Sequence, residues 1–147
     1  MRILIVRLSA LGDVIHGLPV AARLKQAIPG VELTWLVEKP ALEILADNPA
    51  INRVIVFPKQ EWKAQLKTMR GIAGLPGVSS KFVKELQSHR FDAALDLQGL
   101  LKSALLAVAS GAPRRLGFKT GREGADLFLT DRLAGGDYFA PHNQVAH

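Results

Sequence analysis

Apolar residues fall along this chain in short, continuous runs separated by longer intervals of mixed character. Ile3-Leu4-Ile5-Val6, set between Arg2 and Arg7, is apolar at every position. That is the pattern of a strand covered on both faces, not of one alternating between core and solvent. From about Asp13 to Ala27, Val14, Leu18, Ala21, Ala22 and Leu24 form an approximate apolar helix face, and Pro29-Gly30 stops it. Val31 to Val37 predicts a second strand, Pro40 to Asp47 a short helix, and Val54 to Phe57 a third strand. A basic helical segment, Gln60 to about Arg70, carries Trp62, Lys63, Lys67 and Arg70, and Gly71 to Gly77 predicts a turn. A helix over Ser79 to His89, a strand over Ala93 to Leu97, an apolar helix over Leu100 to Ala109 and a strand near Arg115 to Phe118 complete the pattern.

Strands alternating with helices predict an α/β fold, a parallel sheet sandwiched by helices and joined by right-handed crossovers. From Gly135 onward the chain shows no further element. The expected division is a domain over 1–135 and, over 136–147, the start of a linker toward a domain absent from this chain.

In such sheets, ligands collect at the carboxyl ends of the strands, where the first strand-to-helix turn points. That turn holds Arg7-Leu8-Ser9-Ala10-Leu11-Gly12-Asp13-Val14-Ile15-His16. Gly12 is expected to let the backbone turn tightly and a ligand approach closely. Asp13 then stands at a helix amino terminus, either as a cap for free amide groups or as a carboxylate facing the crevice. Ser9 either donates a hydrogen bond to a ligand or satisfies the turn. With Gly12 its only glycine, the loop lacks G-x-G-x-x-G, which counts against a nicotinamide or flavin dinucleotide site.

Composition narrows the chemistry further. The 147 residues carry a net charge of +6, spread without a long basic run. This charge suits an anionic partner (a phosphorylated substrate or an acidic membrane face) or is simply a basic surface. Sparse aromatics argue against nucleic acid. With no cysteine there are no disulfides and no thiolate chemistry. His16, His89, His142 and His147 have no metal-ligand spacing, and Asp92 and Asp96 bracket a strand without forming a D-x-D pair, so no metal site is expected. Neither apolar run, residues 3–6 or 104–109, is long enough for a signal peptide or a membrane span.

The opening stretch from Met1 to Pro19, MRILIVRLSALGDVIHGLP, resembles the start of family 9 glycosyltransferases, the bacterial lipopolysaccharide heptosyltransferases. Three further segments are similar: Trp35-Leu36-Val37-Glu38, Phe91 to Ser103 with its Gln98-Gly99-Leu100-Leu101-Lys102-Ser103, and Gly117 to Glu123. The resemblance implies the Rossmann-like, acceptor-side amino-terminal half of a GT-B enzyme. It implies an ADP-heptose donor, bound mainly by the absent half, an anionic Kdo-lipid A acceptor, and no cofactor. It makes Asp13 the general base of an inverting displacement and places Lys63 and Arg122 where the family holds the acidic inner-core sugar. Gln98 and Lys102 fall at a second strand-to-helix turn, where Lys102 either meets an acceptor anion or extends into solvent. Around Trp62 the chain departs from the family pattern. Lys59-Gln60-Glu61-Trp62-Lys63 is less rich in arginine and includes an acid, which bears on acceptor identity. The implied location is cytoplasmic, peripheral on the inner face of the inner membrane. Two alternatives remain open: an isolated, non-catalytic binding or structural fragment, and a different nucleotide-binding Rossmann domain.

Overall fold

A computed structural model of the chain describes residues 1–59, 80–118 and 125–133. The helix expected over 60–70, the turn over 71–77 and the tail from 135 lie outside the described residues. Among the described residues, six parallel strands form one sheet: β1 (Arg2–Val6), β2 (Glu32–Val37), β3 (Arg53–Val56), β4 (Ala93–Asp96), β5 (Arg114–Phe118) and β6 (Asp131–Leu133). Their order across the sheet is β3-β2-β1-β4-β5-β6. The helices among the described residues are α1 (Leu11–Ala27), α2 (Leu42–Ala46), α3 (Ser80–Ser88) and α4 (Leu101–Ala109). Short 3-10 turns occur at Lys39–Ala41 and Ala125–Phe128.

The two faces of β1 feed two separate cores. Ile3 and Ile5 join Leu33, Trp35 and Val37 of β2, with Val14 and Ala21 of α1 and Leu45 of α2 packed over them. Leu4 and Val6 join Leu36, Phe82 and Leu86 of α3, and Leu106 and Ala107 of α4. This two-sided burial is why β1 is apolar throughout, as its sequence predicts. Each strand residue alternates face, so a continuous apolar run is needed to satisfy both helical layers.

Three local differences from the sequence reading have physical causes. Helix α1 starts at Leu11, two residues before Asp13, and continues through Pro19. Gly12 is therefore the second residue of the helix, outside the left-handed region, and the turn does not require a glycine there. A Cβ at Gly12 would meet nothing within 4 Å among the described residues, so of the two expected roles only the open approach is left to it. Strand β6 was not expected, because Asp131-Arg132-Leu133 has no apolar signature. It is held by its register with β5, Leu116 opposite Asp131 and Phe118 opposite Leu133.

Candidate functional site

The strand order reverses direction of growth between β1 and β4, and there the loops leaving their carboxyl ends part to opposite sides. In open α/β sheets this point forms the ligand crevice. The β1–α1 loop is pinned from both neighbouring strands: Leu8 N–H donates to Gln98 Oε1 at 2.7 Å, and Glu38 N–H donates to Leu8 O at 3.0 Å. Trp35 Nε1 donates to Arg7 O at 3.0 Å, fixing the residue before. Trp35 is itself fully buried, so the loop is anchored in the core.

Asp13 occupies the third position of α1, and the helix is capped at Ala10 without a side-chain hydrogen bond. The cap reading of Asp13 is therefore corrected. Its Oδ2 instead meets Arg7 Nη2 at 2.9 Å. Arg7 also donates through Nη1 to Leu97 O at the end of β4, so one guanidinium ties the β1 loop, the β4 loop and the acid together. Arg7 Nε is buried and has no hydrogen-bond partner among the described residues. The Asp13 side chain keeps 53% of its exposure while that of Arg7 keeps 18%. An oriented carboxylate thus faces outward on a nearly buried cation. Ser9, in the loop before α1, is half-buried.

The second turn is built on Asp96, which sequence reasoning noted only as lacking a metal-binding partner. Its Oδ1 accepts from Gln98 N and Gly99 N, both at 3.0 Å, and Gly99 takes the left-handed conformation (φ +71°) that completes the turn. Burial pushes the Asp96 carboxyl above the ordinary carboxylate range. Hydrogen bonds from Gly99, Ser103 and Gln98, and the charge of Arg7, oppose that shift without cancelling it. The signal was present in the sequence as an Asp followed three residues later by Gly, a turn-forming pattern.

Gln98 spends its side-chain oxygen on Leu8 N–H, which makes it the bridge between the two turns. Lys102 does not extend into solvent. Its Nζ sits 3.1 Å from Glu38 Oε1 and 4.8 Å from the centre of the Phe57 ring. Glu38 Oε2 also meets Lys59 Nζ at 3.3 Å. Glu38, at the end of β2 and 6% exposed, was missed as a functional residue because nothing near it in sequence shows the two lysines it gathers. Lys63 and Arg122 lie outside the described residues. Ser9 and Gln98 in the two turns, and Asp13 and Lys102 in the first turns of α1 and α4, thus sit at the same end of the sheet, with Arg7, Glu38, Lys59 and Asp96 added to them.

Among the described residues no group of three or more His, Asp or Glu side chains is placed to hold a metal. No helix among them is long and apolar enough to cross a membrane.

The strand order and the charged crevice at its reversal define a Rossmann-like domain with its working end at the β1 and β4 turns. Residues 79–140 match the sequence profile of glycosyltransferase family 9 (heptosyltransferase). The chain is 36% identical over 125 residues to lipopolysaccharide heptosyltransferase 1 of Escherichia coli K12, an alignment covering 84% of this chain and 38% of that protein. It is 42% identical over 107 residues to lipopolysaccharide heptosyltransferase 1 of Pseudomonas aeruginosa, covering 72% of this chain and 29% of that one. Among solved structures, the E. coli heptosyltransferase WaaC with ADP-2-deoxy-2-fluoro heptose superposes with a TM-score of 0.76 at 34% identity. It covers 94% of this chain and 44% of its own. The chain belongs to glycosyltransferase family 9. It spans less than two fifths of the length of these curated relatives.

Proposed function

We propose that this chain is the acceptor-side domain of an inverting heptosyltransferase of lipopolysaccharide core synthesis, with ADP-heptose as donor and Kdo-lipid A as acceptor. The observation that carries the reading is Asp13, half-exposed at the strand-order reversal and oriented by Arg7 at 2.9 Å. In the reaction an acceptor hydroxyl oxygen attacks the anomeric carbon of the heptose. The bond from that carbon to the β-phosphate oxygen of ADP breaks, and its electron pair leaves with ADP. Asp13 accepts the hydroxyl proton as the new bond forms. A base in this role needs hydrogen-bond reach and fixed direction, and both follow from the clamp of Arg7 and the anchored loop.

Ser9, in the loop before α1, and the space over Gly12, the residue before Asp13, are offered to an acceptor sugar. Lys59 and Lys102 share the charge of Glu38, so that trio presents a net positive charge toward an anionic acceptor. Lys63 and Arg122 belong to the same acceptor-binding group by resemblance. Residues 1–135 form this domain and 136–147 lead toward a donor-binding domain, without which the chain by itself does not turn over. The full enzyme works at the cytoplasmic face of the inner membrane, where basic charge favours both acceptor and surface.

The test is heptosyl transfer from ADP-heptose to Kdo-lipid A, by the polypeptide that carries this chain together with a donor domain. Asp13→Asn keeps the shape and removes the basic oxygen. It is expected to lower kcat by about 10²–10⁴-fold, the usual worth of a general base, with little change in acceptor KM. Turnover within a few-fold of the unmodified enzyme would refute the assignment.

A further inference from the structure

The opposite end of the sheet, unused by the transfer reaction, carries a pocket of about 310 Å³ lined by Arg2, Glu32, Thr34, Arg53, His89 and Phe91, with Ser88 beside them. Its size falls at the lower end for small-molecule sites. The sheet itself brings the charges together: Arg2, Glu32 and Arg53 are the first residues of β1, β2 and β3, which are neighbours in the sheet. His89 follows the end of α3 and stacks at 5.6 Å on Phe91.

Arg2 Nε pairs with Glu32 Oε2 at 3.3 Å, and Arg2 Nη1 donates to His89 O at 3.2 Å. The backbone N–H of Arg2 donates to Asp92 Oδ2 at 2.8 Å. Arg53 makes no ion pair among the described residues; its Nη1 points at His89 Nδ1. A guanidinium has only donors, so Nδ1 must accept and the ring proton sits on Nε2. His89 is thus held as the neutral ring. Burial lowers its proton affinity first, then the charge of Arg53, with a smaller push from Arg2 and an opposing pull from Glu85.

This arrangement holds a cation without a carboxylate next to a second cation and a ring ready to become a third. We propose that the pocket is an oxyanion site that takes the phosphate group of a small ligand between Arg53, Arg2 and His89. Guanidinium forks fit phosphate oxygens bidentately, and each such bond is charge-assisted. An anion in the pocket also offsets the repulsion from Arg53 and Arg2, so His89 takes up a proton as the anion binds.

The experiment follows the ring resonances of His89 by NMR in the 147-residue chain, at constant ionic strength. Inorganic phosphate and glycerol phosphate are titrated separately against chloride. A saturable shift, accompanied by a rise in the pH midpoint of His89, is expected for at least one phosphate compound, and the tighter of the two shows whether the ligand is free or esterified. Arg53 is exposed, so Arg53→Ala leaves the fold intact and should weaken binding about tenfold or more. Glu32→Gln frees Arg2 and should tighten it. A response matched by chloride, one that never saturates, or equal binding in Arg53→Ala would overturn the proposal.

Discussion

Glu38 gathers two lysines from distant parts of the chain, and the structure ranks the two pairs. Glu38 is 6% exposed, the Lys102 side chain 23% and the Lys59 side chain 44%. Exposed ion pairs contribute about 0–1 kcal/mol, whereas breaking a buried pair costs about 3–5 kcal/mol. The Lys102 pair lies between these limits, so Glu38→Gln should cost about 1–3 kcal/mol. With a urea m-value of about 2 kcal/mol/M for a domain of this size, the unfolding midpoint falls by about 0.5–1.5 M. A double-mutant cycle separates the partners. Lys102→Met keeps the stem over Phe57 but loses the charge, and the lost cation–π contact cancels in the cycle because it appears in both arms. The expected coupling between Glu38 and Lys102 is about 1–2 kcal/mol, and between Glu38 and Lys59 about 0.5 kcal/mol or less. Coupling to Lys102 below about 0.3 kcal/mol, or the reverse ranking, would show that burial does not set the strength of these pairs.

Two other predictions test the framework around the crevice. Because the folded Asp96 carboxyl holds its proton to higher pH than in the unfolded chain, stability falls as pH rises from the ordinary carboxylate range through that raised value. Asp96→Asn keeps an oxygen for Gln98 and Gly99 and should flatten that slope in pH-dependent urea unfolding; an unchanged slope would remove Asp96 as its source. A methyl group at Gly17 would lie 2.9 Å from the ring of fully buried Trp35, whose Nε1 is tied to Arg7 O. Gly17→Ala gains about 1 kcal/mol of helix propensity but pays about 1–3 kcal/mol for overpacking, so thermal unfolding should shift downward; a raised Tm would mean the ring yields freely.

Much of the architecture was legible from local pattern alone. The unbroken apolar run of β1, the stop at Pro29-Gly30 and the strand–helix alternation predict a parallel sheet, because burial on both faces and helix termination are set by neighbours in sequence. The turn leading into Asp13 was legible for the same reason: a first strand-to-helix turn points toward the crevice wherever the sheet is parallel. Its finer geometry was not. Asp13 is held by Arg7 and does not cap α1, Gly12 is ordinary helix, and β6 exists only by pairing with β5. Nor could the sequence show that residues 38, 59 and 102 share charge, or that Arg2, Arg53 and His89 meet around one pocket. Those groupings depend on the lateral order β3-β2-β1-β4, which is decided by how the helical layers pack on the two faces. The sequence by itself therefore determined the elements and the end of the sheet where chemistry belongs. Tertiary structure decided which charges face one another, since Coulomb energy depends on distance in space and is blind to distance along the chain.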